Sequence, residues 1–177
     1  MRARAAAGMT LIELLIGFVI IGVLLSLGAP SFSAWLQNVQ IRNAAESIFN
    51  GLQLARGTAV QRNKSVTFTM AGPDSSWAVT IDSPSVIGAV VEPATVQTRS
   101  GAEGTPNAIV TTANPAISFN GLGATNLAAA ATIQVTNPTG GACGATNMRC
   151  LNVTVSVGGQ IKMCDPLATT AGDSRKC

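Results

Sequence analysis

The sequence contains no His and no Tyr, and only 11% of its 177 residues are charged and 4% aromatic. Without His, the side chain most often used as a general base is missing, and with it most zinc sites and nucleophile–base pairs. The acids Asp74, Asp82, Glu92, Glu103, Asp165 and Asp173 are scattered, with no paired spacing that would mark an acid/base couple. No Gly-rich turn leads into the Lys and helix of a phosphate-binding loop. No C-x-x-C spacing occurs, which argues against a redox enzyme and against a zinc site built on the four cysteines. The residues therefore read as a non-enzyme with no metal and no cofactor. Eleven basic and 8 acidic residues give a formal charge of +3, too balanced for a surface coated in basic charge for nucleic acid, although a local basic patch stays open. With 47% hydrophobic residues the chain is too apolar to be intrinsically disordered.

What is present is unevenly spread. Leu14 through Leu36 carry no charge, and the next charge after Glu13 is Arg42. About 20 apolar residues suffice to cross a bilayer. The leader Met1-Arg2-Ala3-Arg4 is basic, so the positive-inside rule leaves it in the cytoplasm and puts the bulk of the chain outside. Three readings fit this end: a cleaved secretory signal, with Ser26-Leu27-Gly28 as a small-residue cut site; a plain membrane anchor; or a processed leader preceding a retained helix.

The third accounts for the most residues. Gly8-Met9-Thr10-Leu11-Ile12-Glu13-Leu14-Leu15 resembles the type III signal sequence of type IV pilins and pseudopilins. The resemblance implies a leader of residues 1–8, cut after Gly8 by a prepilin peptidase. It also implies methylation of the new N-terminus at Met9, where Phe is more usual. Residues 9–36 would form the transmembrane and filament-core helix. Loss of Arg2 and Arg4 would leave 9 basic against 8 acidic side chains, a nearly neutral mature chain. A carboxylate such as Glu13 at the lip of an apolar helix calls for a partner, since an acid at a membrane helix centre costs about 3 kcal/mol. In the pilin resemblance that partner is the N-terminal amine of a neighbouring subunit. The alternative is local: Glu13 sits at the membrane interface and complements the helix dipole.

Residues 37–62 turn amphipathic. Ile41, Ala45, Ile48, Leu52, Ala55 and Ala59 recur at steps of four and three and form one helical face. Asn43, Ser47, Asn50 and Gln61 fall largely opposite, and Arg42 and Glu46 are an i, i+4 pair. A rod from Thr10 to about Arg62 would be roughly 80 Å long at ~1.5 Å per residue. Pro30 is expected to kink it, and Gly17, Gly22 and Gly28 loosen the same region; the resemblance adds partial melting of this segment on entry into a filament.

Residues 63–177 read as β. Alternation marks Ser65–Met70 and Trp77–Ile81, with further strands expected at Val86–Val91, Ala116–Phe119, Thr132–Thr136, Leu151–Val157 and Gln160–Met163. Gly158-Gly159 between the last two is a hairpin signal. Arg99–Asn114 reads as a long loop, and Ala128–Ala131 has no assignment. The fold class expected is α+β: a long, partly transmembrane N-terminal helix packed on an antiparallel sheet or β-sandwich, the pilin fold. The run Leu52–Thr67, Trp77-Ala78-Val79 and Ile117–Ala124 resembles the GspH/FimT family of minor pilins and pseudopilins. The implied function is structural: a subunit that assembles into, or primes, a type IV pilus or a type II secretion pseudopilus. The implied partners are other pilin or pseudopilin subunits, the prepilin peptidase, and the inner membrane with its assembly platform. The implied location is the inner membrane, single-pass, with the C-terminal domain in the periplasm or outside the cell.

All four cysteines lie in the last 35 residues, and an extracytoplasmic location favours disulfides. Of three connectivities, Cys143–Cys150 and Cys164–Cys177 close the shortest, most loop-like segments. A second function stays open. Some FimT-like members bind DNA through a C-terminal Gly-Arg-x-Arg, and the matching stretch here is Gly159-Gln160-Ile161-Lys162. Gln offers no phosphate fork and Lys only a point charge, so DNA capture would rest on Lys162 with Arg149, Arg175 and Lys176.

Overall fold

The computed structural model describes residues 9–87, 90–138, 141, 143–144 and 148–177. The chain divides into two compact units, Met1–Trp35 and Leu36–Cys177. One helix, α1 (Leu11–Arg62), contributes to both.

In the first unit the helix begins on a cap. Thr10 Oγ1 accepts the Glu13 backbone N–H at 3.3 Å, and the Thr10 carbonyl accepts Leu14 N–H at 3.2 Å. Thr10 and Glu13 thus have the spacing of a capping box, which satisfies donors that a helix start leaves unpaired. The large apolar side chains beyond the cap lie open, Leu11 at 82%, Phe18 at 67% and Leu25 at 66% exposure. A helix that is apolar on every side and uncovered by its own unit is built to be covered by lipid or by other helices. Among the described residues no single helix is long and apolar enough to cross a membrane; Leu11–Ser26 and Ser31–Arg62 meet that test only together, as a bent pair. The break between them contains Pro30, which has no N–H to donate to the preceding turn.

In the second unit the stripe Ile41, Ala45, Ile48, Leu52, Ala55 and Ala59 is fully buried, joined by Ala44. Two four-stranded antiparallel sheets share this core with the helix. The first is built from β1 (Val66–Met70), β2 (Trp77–Ile81), β5 (Thr95–Arg99) and β7 (Ala116–Phe119), in the order β5-β2-β1-β7. The second is built from β6 (Ile109–Thr112), β8 (Ala131–Thr136), β9 (Leu151–Val155) and β10 (Ile161–Cys164), in the order β10-β9-β8-β6. The inward residues of β1 and β2 alternate with half-exposed ones, as a strand with one covered face requires. Phe68, Val79, Ile117, Phe119, Ile133, Val135 and Val153 are fully buried.

Four expectations change. Arg99–Asn114 is no continuous loop: β5 ends in it and β6 lies within it. Thr95–Arg99 is an edge strand held to β2 through the backbone. Apart from Val96, which packs on the core, its side chains are polar and mostly exposed and carry no apolar alternation to read. Val86–Val91 is not one strand but two, β3 (Val86–Ile87) and β4 (Val90–Val91), paired antiparallel as a small separate sheet. Ala128–Ala131, unassigned in the sequence, ends at the first residue of β8. Ser47 is not on a polar face: it is 3% exposed, because the Trp77 indole needs an acceptor there, and Nε1 donates to Ser47 Oγ at 2.8 Å. The ends of the last hairpin also shift, to Val155 and Ile161. At its turn Gly159 has φ of 81°, and a Cβ there would run into the Gly123 carbonyl. Only glycine satisfies both conditions.

Candidate functional site

The residues singled out by the sequence fall at two places. At the N-terminal end, Gly8 lies outside the described residues. Met9 is 72% exposed and immediately precedes the capped turn that carries Glu13. The sequence reading of Glu13 turned on its charge; the Thr10 cap went unread, although the T-x-x-E spacing was its visible signal. Gly22 and Pro30 both lie within α1, and among the described residues nothing beyond the helix's own backbone and the adjacent residues stands within 4 Å of where a Cβ on Gly22 would be.

At the C-terminal end the chain is closed by two disulfides, Cys143–Cys150 and Cys164–Cys177. The second holds the tail beside β10, where Asp165 N–H donates to the Arg175 carbonyl at 2.7 Å. The four cations proposed for DNA have different immediate neighbours. Lys162 donates its Nζ–H to the Lys176 carbonyl at 2.7 Å, on the exposed face of the hairpin. Arg149 and Arg175 instead line a cleft of about 360 Å³ with Asn38, Arg42, Leu151, Met163, Cys164 and Asp165. Arg42 and Asn38 were not among the candidates. They sit one turn apart on α1, and nothing in the spacing of a helix names the loop that will pack beside it.

The cleft is organised by polar contacts. Asn38 Oδ1 accepts the Arg149 backbone N–H at 2.8 Å, which ties the chain at Arg149 to the helix. Arg175 grips Asp173 with two bonds, Nε to Oδ1 at 3.1 Å and Nη2 to Oδ2 at 2.8 Å. These side-chain bonds, helped by the Arg175 backbone N–H, hold the Asp173 carboxyl down to about 2, and the same bonds raise the Arg175 guanidinium. Arg42 Nε lies 3.2 Å from Glu46 on the helix surface. Among the described residues no group of His, Cys, Asp and Glu is clustered closely enough to hold a metal.

A capped apolar helix start left uncovered by its own unit, and a second unit in which two antiparallel sheets share a core with a helix, define the class: a pilin-type subunit anchored by its N-terminal helix. The family model for type II transport protein GspH matches residues 44–159, more than half of the chain, and the chain belongs to that family, as a minor pilin or pseudopilin. The prokaryotic N-terminal methylation motif matches residues 3–29. No curated protein matches the chain in sequence. Among solved structures, two crystal forms of the type IV minor pilin FimU of Pseudomonas aeruginosa share the fold. Their TM-scores are 0.51 and 0.53, at 16% and 15% identity, over 73% of this chain and 99% and 95% of theirs. The minor pseudopilin EpsH from the type 2 secretion system of Vibrio cholerae aligns with a TM-score of 0.48 at 10% identity, over 72% of this chain and 98% of that one.

Proposed function

We propose that this chain acts as a non-catalytic building block. A prepilin peptidase removes residues 1–8, the Met9 amine is methylated, and the helix waits in the inner membrane with the β domain on the outer side. An assembly platform then draws it into a type IV pilus or a type II secretion pseudopilus. The observation that carries this reading is the helix stretch from Leu11 to Leu25, apolar and with its large side chains exposed, with one acid in its first turn, inside a matched methylation motif. Glu13 supplies the charge that a neighbour's N-terminal amine neutralises within a low-dielectric bundle. The Thr10 cap holds the first turn rigid, so that the carboxylate is offered at a defined height. Pro30 and Gly22 supply the weak point at which the helix adjusts on leaving the bilayer.

The test is Glu13→Ala in the producing cell, followed by leader cleavage and by the amount of chain in sheared fibres. Cleavage is expected to continue and fibre incorporation to fall at least tenfold. Normal incorporation of the variant would remove the pairing role and the reading built on it.

A further inference from the structure

Three separate parts of the second unit each send an arginine to the same cleft. Arg42 comes from α1, Arg149 from the segment closed by Cys143–Cys150, and Arg175 from the tail closed by Cys164–Cys177. Leu151 and Met163 contribute apolar lining between them. Both disulfides and the Asn38 bond to the Arg149 backbone fix these parts in place. Two of the arginines already hold carboxylates, Arg42 with Glu46 and Arg175 with Asp173. Among the described residues the Arg149 guanidinium has no partner.

We propose that this cleft is a docking site for an acidic peptide segment of a neighbouring protein subunit, one carboxylate beside one apolar side chain. The planar fork of Arg matches a carboxylate with two parallel bonds, and Arg149 has that fork open. The apolar side chain settles on Leu151 and Met163. The cleft's volume of about 360 Å³ is small, suited to a short segment. Charge complementarity selects a single carboxylate over a polyanion. Asp165 lines the cleft, and Glu46 and Asp173 stand on its two flanking arginines. An extended phosphate backbone would meet these acids, whereas one carboxylate on Arg149 avoids them. The neighbouring subunit as the source rests on the assembly reading above; the preference of the cleft for a carboxylate does not. Peptide binding and fibre incorporation are separate measurements, so one can fail without the other.

The experiment uses the full chain in detergent micelles at low salt. The probes are a labelled acetyl-Leu-Glu-Leu-Glu amide, its Gln counterpart, and a single-stranded thymidine oligonucleotide, each followed by fluorescence anisotropy. The Glu peptide is expected to bind and the Gln peptide to bind at least tenfold more weakly. Arg149→Gln should weaken the Glu peptide at least tenfold and Arg149→Lys less. Lys162→Gln, outside the cleft, should change nothing. Because the bond to Asn38 uses the Arg149 backbone, these variants keep it, and retention of both disulfides by mass spectrometry checks the fold. No binding of the Glu peptide, or binding indifferent to Arg149, overturns the proposal. So does an oligonucleotide that binds more tightly than the peptide and is weakened by the same substitution.

Discussion

Trp77 and Ser47 are joined by a buried hydrogen bond that fastens β2 to the second half of α1, the indole Nε1–H donating to Ser47 Oγ at 2.8 Å. Both residues are nearly sealed from water, at 4% and 3% exposure. A buried donor that loses its acceptor bears the full cost of its desolvation. Ser47→Ala is therefore expected to destabilise the second unit by about 1–3 kcal/mol, read as a lower urea midpoint with an unchanged slope.

The same face depends on Gly51. A Cβ there would stand 2.8 Å from Phe68 Cε2 and 3.0 Å from Trp77 Cε2. Those two rings already meet, with centroids 5.6 Å apart, so neither has room to retreat. Overpacking costs about 1–3 kcal/mol, more than the ~1 kcal/mol of helix propensity that Ala would return. Gly51→Ala should lower the urea midpoint. Gly57→Ala, on the same helix with nothing but the helix's own backbone and immediate neighbours near its new methyl, should raise stability by up to about 1 kcal/mol and the midpoint with it.

Glu92 closes the small β3–β4 hairpin onto the end of the helix. It accepts from the Ser85 backbone N–H at 2.9 Å and from Lys64 Nζ at 3.1 Å, and pairs with Arg62. Lys64 also donates to the Ser83 carbonyl at 2.9 Å. Glu92→Gln removes the charge from this clasp while keeping its shape. Amide exchange at Glu92, whose N–H donates to the Ser85 carbonyl, should speed up by about tenfold, with the two main sheets unaffected.

The Cys164–Cys177 bridge closes a separation of 13 residues, which the chain-entropy account values at roughly 3 kcal/mol. Replacing both cysteines with Ser should release the tail first. The Asp165 amide, bonded to the Arg175 carbonyl, is the reporter. It should lose protection in hydrogen exchange before the core strands do.

Asp173 sets an acid limit on the same tail. Its carboxyl is held down to about 2 from an ordinary value of 3.8 by Arg175. A depressed carboxyl contributes order above its unfolded value and loses that contribution as the pH falls through its folded one. The Asp173–Arg175 contact should therefore persist at pH 4 and be half lost only near pH 2. An NMR titration following the Asp173 carboxyl and the Arg175 Nε–H together should show a single midpoint near the lower value.

The first end of this protein was decided by its sequence alone. An apolar run without charge, the basic Arg2 and Arg4 before it and the Gly-Met-Thr-Leu-Ile-Glu order act through local rules of hydropathy and spacing, which need no tertiary partner. The helical stripe from Ile41 to Ala59 and the alternating strands β1 and β2 were legible for the same reason, because each has one face against the core and a period that shows it. The edge strand Thr95–Arg99 carries no such pattern, since backbone pairing to β2 and the single inward Val96 hold it rather than a buried face. The burial of Ser47 was equally invisible, because it answers a Trp 30 residues away. Only the tertiary structure decided which cations meet. Arg149 lies 111 residues from the Asn38 that holds it, and Lys162, close to Arg175 in sequence, is turned toward the Lys176 carbonyl instead. Charge is written residue by residue, but the cleft lined by Arg42, Arg149 and Arg175 exists only once the chain at Arg149 and the tail at Arg175 come to lie beside one helix.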